Sequence, residues 1–336
     1  MNNQNNSTND KLLPKDFSEY IGQERAKSIV KDAILSSIKR DTSLEHILLS
    51  GGAGCGKTTL ALLVAKERNV FIKVTTGGSL EKAENIYNLF EEIKDKKDAI
   101  IFIDEIHSIP KGIAEILYLP MEHPDCEIQL PKKSTNSVSY WIGKQENTKM
   151  KIPPFTLFGA SAGEEGELEK PFRDRFGLRI VLEKYTMANM ETIIAQSCKK
   201  LEINLNRNII KAVAERSCFI PRTANNLLKR IREHMDAVGQ EKPSLKMVEK
   251  VFQRLGLDHL GIDDTGRKIL LGLYNSPKKA LGLNSLSKIV QLSTVTINSV
   301  VEPQLLQHGL ISYMPSGRAL TEAGYKHLVR LGLAPK

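Results

Sequence analysis

The sequence predicts an α/β nucleotide-binding core built on a parallel sheet, followed by a small helical domain and a C-terminal winged helix. Three observations carry this. The stretch Gly51-Gly52-Ala53-Gly54-Cys55-Gly56-Lys57-Thr58-Thr59 follows the apolar run Ile47-Leu48-Leu49-Ser50 and leads into the helical pattern Leu60 to Ala65. A strand, a glycine-rich turn and a helix N-terminus in that order make an anion trap, because backbone N–H groups and the helix dipole point at the turn. The run Ala99-Ile100-Ile101-Phe102-Ile103 is continuously apolar and ends in Asp104-Glu105, as a buried parallel strand does when its carboxyl end presents charge to a site. From Thr186 to about Arg254 turns separate helical segments, and after Asp258 the character changes to short helices and a hairpin.

Taken in order, residues 1–11 are Asn-rich and read as a disordered tail. The segment from Leu12 enters a helix running to about Lys39, with Ala26, Ile29, Val30, Ala33, Ile34 and Ile38 at helical period. Strands are predicted at Ile47 to Ser50, Val70 to Val74, Ala99 to Ile103, Phe155 to Ala160 and Leu178 to Leu182. Alternating strands and helices imply a parallel sheet. Between Met121 and Pro153, Val138 to Ile142 and Lys149 to Ile152 alternate about a polar middle, which suggests an extended β-hairpin insert carrying the single Trp, or a surface loop. The domain reading is 12–183 for the α/β core with its 121–153 insert, 184–257 for the helical domain and 258–336 for the winged helix.

The spacing G-x-x-x-x-G-K-[ST] adds to the phosphate cradle of Gly51, Gly54 and Gly56 a lysine for the terminal phosphates, Lys57, and the hydroxyls of Thr58 and Thr59. ATP with Mg²⁺ is the expected ligand. Thr58 and Asp104 would hold the metal, Asp104 partly through water. Glu105, beside Asp104, would orient and deprotonate the attacking water, which argues for hydrolysis rather than passive binding. Ser161, just past a strand, would touch the γ-phosphate or the water. Arg175, before the last core strand, suits an arginine finger reaching a neighbouring subunit, and Arg222, opening the helix Thr223 to His234, can face the nucleotide from the helical domain.

Composition sets the partners. The 336 residues carry 48 Lys+Arg against 39 Asp+Glu, a net +9, which favours an anionic partner. Cys55, Cys126, Cys198 and Cys218 form no C-x-x-C pair, so they read as free thiols in a reducing, cytoplasmic setting rather than zinc ligands. No apolar run reaches membrane-spanning length.

With these motifs the chain resembles the AAA+ ATPases and, within them, closely the RuvB family of hexameric Holliday-junction branch-migration motors. The likeness runs from about Leu12 to Leu328. It rests on Glu19-Tyr20-Ile21-Gly22-Gln23, the loop at Gly51 to Thr59, Leu80-Glu81-Lys82-Ala83 and Phe102 to His107. Pro153 to Leu157, Arg173-Asp174-Arg175-Phe176-Gly177, Pro221-Arg222, Ala224-Asn225, Leu227-Leu228 and Glu302-Pro303 extend it. The resemblance implies an ATP-binding AAA+ core and lid, Arg175 as the finger in trans, Arg222 as the lid sensor, and Tyr20, Ile21 and Tyr185 near adenine. It also implies a hexameric ring and a RuvA-like partner at the 121–153 insert. The chain departs from the family at Leu13, where a basic residue is usual. It departs again at Ser161-Ala162-Gly163-Glu164-Glu165, where two threonines and an arginine are usual, and at Ser316, where the wing has a second arginine.

In the winged helix, Ile269 to Leu273 mark one helix, Leu286 to Gln291 a second, and Ser293 caps a third running through His308. Ile311 to Met314 and Ala319 to Thr321 flank the turn Pro315-Ser316-Gly317-Arg318, which places Arg318 at the wing tip as the expected contact to the DNA backbone. The resulting expectation is an ATP-driven, ring-forming DNA motor for branch migration. The alternative is a related ATPase that remodels or loads another protein complex on DNA.

Overall fold

A computed structural model describes residues 11–129, 149–162, 168–277 and 280–335. Residues 1–10 of the expected tail, the segment Val138 to Ile142 with Trp141, and Glu164 and Glu165 lie outside the described residues, while Lys11 is described as helical. The chain separates into two compact units, residues 1–184 and 185–336.

In the first unit, α1 (Glu24–Arg40) precedes β1 (Ile47–Ser50), α2 (Lys57–Arg68), β2 (Phe71–Thr76), α3 (Ala83–Ile93) and β3 (Ala99–Asp104). After the short helix Tyr118–Glu122 come β4 (Glu127–Gln129), β5 (Lys149–Lys151), β6 (Phe155–Ser161) and β7 (Leu178–Val181). Five strands pair in parallel in the order β2-β3-β6-β1-β7. Strand alternation sends Leu48, Ile101, Ile103 and Leu157 to one face, against Ile86, Leu89 and Phe90. Ile47, Leu49, Ile100, Phe102, Phe158 and Ala160 go to the other, against Val30, Ile34, Leu60 and Val64. The three central strands, β3, β6 and β1, are therefore buried on both faces, as their uninterrupted apolar runs required.

The insert begins later than expected. Met121 and Glu122 belong to the helix Tyr118–Glu122, and the described pairing is Glu127↔Lys151, Ile128↔Met150 and Gln129↔Lys149. Ile128 and Met150 face the core while Lys149 meets Glu127 at 3.1 Å on the outer side.

In the second unit, α4 (Met187–Leu201), α5 (Arg207–Arg216), α6 (Pro221–Val238) and α7 (Leu245–Arg254) form the helical part. Thr186, Asn206 and Ser244 cap three of them through side-chain oxygens. The winged helix follows: α8 (Asp264–Asn275), β8 (Ala280–Leu281), α9 (Leu283–Val290), a helical stretch from Thr294, β9 (Ile311–Met314), β10 (Gly317–Leu320) and a last helix, Glu322–Arg330. Ser293 caps the Thr294 stretch by accepting from Thr296 N–H, as expected. That stretch is not one α-helix: Ile297–Val301 is a π turn before Glu302–Gln307. Pro303 lacks the N–H that would bond Ser299, and the ladder widens there. The wing also differs. Gly317 and Arg318 lie on β10, paired with Met314 and Tyr313, so the tip is Pro315-Ser316 and Arg318 is off it. Among the described residues no helix is long and apolar enough to cross a membrane.

Candidate nucleotide site

The glycines of the loop after β1 take backbone shapes that residues with a Cβ rarely adopt. Gly51, Gly54 and Gly56 have φ of 146°, 75° and 99°. A Cβ on Gly51 would stand 2.8 Å from the Leu182 carbonyl oxygen, so the residue that follows β7 also closes on the loop. Gly56 precedes α2 with no side-chain cap, and the first turn carries no acidic residue. Its N–H groups are thus left for an anion. Lys57, only 7% exposed, donates from Nζ to the carbonyls of Gly51 at 2.7 Å and Gly52 at 3.0 Å. Burial lowers its pKa, with the nearby Asp104 carboxylate opposing that shift. Thr58 and Thr59 sit half-buried in the first turn of α2.

The sheet order then brings the other groups alongside. Asp104 ends β3, half-buried, and Ser161 ends β6, buried and level with Ser50 of β1. Because β6 lies between β3 and β1, Asp104, Ser161 and the loop at Gly51 share one edge of the sheet, the carboxyl edge where ligands bind in open α/β folds. Glu105 is exposed and held at φ 48°, ψ 46°, and its N–H donates to Asp104 Oδ1 at 3.0 Å. This left-handed turn swings the chain off the strand end. Gly77 allows it: a Cβ there would overlap the Glu105 carbonyl.

Several contacts of the site had no sequence expectation, although Tyr20 and Ile21 themselves were named. Ser161 Oγ lies 3.3 Å from His107 Nδ1. Tyr20, buried, donates its hydroxyl to the Gly56 carbonyl at 3.2 Å, and Ile21 beside it is half-buried. Gln23 holds Glu183 by two bonds, Nε2 to its carbonyl at 2.8 Å and Oε1 from its N–H at 2.9 Å, tying the start of α1 to the end of the sheet. The signals were faint but present, since His107 and Gln23 stand within the very motifs singled out above. Cys55 is buried in the loop, and burial pushes its thiol pKa up.

Other expected residues stand apart. Arg175 precedes β7 at its amino end, whereas the loop lies beyond the carboxyl end of β1. Strands of four residues put those ends roughly 13 Å apart at least. The Arg175 guanidinium stacks on Tyr118, 4.2 Å to the ring centroid. It pairs with Glu122 at 2.9 Å and donates to the Pro171 carbonyl at 2.6 Å. In the second unit, Arg222 is exposed in the first turn of α6 and Tyr185 is buried. Arg318 is the clearest departure from expectation. It donates from Nη2 to Glu302 Oε2 at 3.0 Å and to Asn298 Oδ1 at 2.7 Å, and Glu302 is fully buried. Tyr313 donates its hydroxyl to Glu302 Oε2 at 3.2 Å.

A phosphate loop, a strand-end carboxylate pair and a buried strand-end serine, on a five-stranded parallel sheet followed by a helical lid, define an AAA+ P-loop ATPase. Comparison with known proteins narrows this. Residues 12–182 match the Holliday junction DNA helicase RuvB P-loop domain, 185–258 the RuvB AAA lid domain and 259–329 the RuvB C-terminal winged helix domain. The chain is 36% identical over 326 residues to the Holliday junction branch migration complex subunit RuvB of Lactobacillus johnsonii, covering 97% of this chain and 92% of that one. Against its counterpart from Fervidobacterium nodosum the identity is 37% over 318 residues, covering 94% and 88%. The solved Thermotoga maritima RuvB, a Holliday junction branch migration motor, superposes with a TM-score of 0.79 at 33% identity, over 95% of this chain and 98% of that one. The chain belongs to the RuvB family.

Proposed function

We propose that this chain is the ATP-driven motor of a ring that moves DNA through four-way junctions. The single observation that carries the reading is the shared carboxyl edge: the loop at Gly51 to Thr59, Asp104-Glu105 and Ser161 stand side by side in a RuvB-family chain.

The residues divide the work by chemistry. The glycine loop and the N–H groups of α2 cradle the phosphates, and Lys57, bonded only to backbone carbonyls among the contacts given above, can turn to the β/γ-phosphates. Thr58 and Asp104 offer a hydroxyl and a carboxylate, a hard oxygen set that suits Mg²⁺. When bound, that ion would neutralise phosphate charge. Glu105 orients and deprotonates water, and Ser161 with His107 reads the γ-phosphate. Tyr20, Ile21 and Tyr185 border the base, and Arg222 acts from the lid. Arg175 lies too far from its own subunit's loop to complete that site, which supports its action in trans within a ring of six subunits. A RuvA-like partner would engage the hairpin carrying β4 and β5.

A second reading has its own observation. Residues 289–317, which span the third helix and the first wing strand, contain no Lys or Arg, and Arg318 is committed to Glu302. Phosphate contacts are what make DNA binding strong and salt-dependent, so a neutral helix favours an ATPase that remodels a protein complex on DNA. Steady-state ATPase rates with linear, forked and four-way DNA separate the two. The motor reading expects the largest stimulation with four-way DNA, weakening as salt rises. Equal rates with and without any DNA would contradict it.

A further inference from the structure

We propose that His46 is the positioning residue for the Arg175 finger, linking each subunit's phosphate-loop strand to the arginine that it lends its neighbour. The proposal rests on the reading of Arg175 as a finger in trans.

His46 immediately precedes β1, the strand that delivers the phosphate loop. Both ring nitrogens are engaged. Leu157 N–H donates to Nδ1 at 2.9 Å, so Nδ1 is the acceptor and the ring hydrogen lies on Nε2. Nε2 donates to the Met121 carbonyl at 3.0 Å. The first bond has a plain origin. The β1–β6 register opens at Ile47↔Phe158, so Leu157, one residue earlier, meets the imidazole in place of a strand carbonyl. The second bond reaches the helix Tyr118–Glu122, whose two ends hold the finger: Tyr118 stacks under the Arg175 guanidinium and Glu122 pairs with it.

A second contact runs in parallel. Glu45 packs on Gly177, where any Cβ would overlap its carboxylate, and the His46 carbonyl accepts from Leu178 N–H at 3.2 Å. Residues 45–46 therefore touch the finger loop on its β7 side while the imidazole braces it through Met121. Glu45, His46, Met121, Arg175 and Gly177 line one cleft at the amino ends of the strands. Phe155 covers the ring, 5.4 Å between centroids. A strand that shifts when the loop takes up or loses phosphate would carry His46 with it, and the helix under Arg175 would follow. Geometry of this kind is costly to disturb, since an error of about 1 Å in a catalytic group can lower turnover about 100-fold.

Mixed rings test it. Subunits with Lys57→Ala cannot turn over ATP themselves but still lend Arg175, and subunits with Arg175→Ala accept that finger. Mixing the two should restore ATPase activity at the hybrid interfaces. His46→Ala is then placed in one partner at a time, with oligomer formation and melting temperature recorded for each. In the Lys57→Ala donor it should lower the restored kcat between about 10- and 100-fold, and in the Arg175→Ala acceptor it should leave the restored rate within about twofold. His46→Gln keeps a donor within reach of Met121 and should recover most of the donor's activity. His46→Asn keeps only the acceptor for Leu157 and should not. Equal loss from either placement, no loss from either, or rescue by Asn but not Gln overturns the proposal. If the parent mixture stays inactive, the finger in trans fails and the proposal falls with it.

Discussion

Lys57 and Arg318 are both cations drawn into the protein, and their partners make them opposite in kind. Lys57 is held by two neutral carbonyls, which can be exchanged for phosphate oxygens when a nucleotide arrives. Lys57→Ala should therefore abolish ATP turnover and weaken nucleotide binding, read by a fluorescent-nucleotide titration, with the melting temperature little changed. Arg318 is held by a carboxylate that is 0% exposed, its own side chain being 16% exposed. Removing one member of a buried pair strands the other, at a cost of about 3–5 kcal/mol. Arg318→Ala should lower the stability of the winged helix by that order in urea unfolding. Loss of DNA affinity with no loss of stability would contradict this. The sequence marked Arg318 as basic and near a turn, and both are true. What it could not mark is the burial of Glu302, 16 positions away, because burial is a property of packing rather than of residue type.

At the scale of elements, the turn from β3 into Glu105 depends on a glycine in another segment. Gly77→Ala should push the Glu105 backbone out of its left-handed turn, and kcat should fall about tenfold or more while circular dichroism stays native. An unchanged kcat would show that the turn does not set Glu105. The strands themselves are robust and were legible, because runs such as Ala99 to Ile103 admit no reading other than burial on both faces. Phe158, fully buried between β3 and β1, should cost about 3–5 kcal/mol when changed to Ala, measured by chemical unfolding. Less legible were the ends of elements. The wing turn is two residues shorter than expected, and the third helix holds a π turn, since pairing register and a proline's displaced hydrogen bond are settled by neighbours across the fold.

Over the whole molecule, three half-buried histidines set a pH response. Burial lowers the pKa of His46, His259 and His308. For Asp258, burial pushes upward, but hydrogen bonds from His327 and from the backbone of Leu260 and Ile262 outweigh it and leave the pKa lowered. The unfolded chain takes up protons on these histidines near pH 6.5 while the folded chain resists, so the unfolded state binds more protons below that pH. Stability should fall as pH drops below about 6.5, and again as acid approaches the Asp258 carboxylate. Urea midpoints between about pH 7.5 and pH 5 check this, and a midpoint that rises toward acid would contradict it. At this scale the motifs spoke clearly for a P-loop ATPase of the RuvB family, because phosphate chemistry demands fixed residues at fixed spacings. They said least about what the energy moves, which depends on surfaces rather than on spacing. The most direct measurement is the ATP-driven movement of a fluorescently labelled four-way DNA junction, wild type against Glu105→Gln. Movement that requires ATP and stops with Glu105→Gln is expected. Movement that persists with Glu105→Gln, or that wild-type protein never produces, would contradict the account.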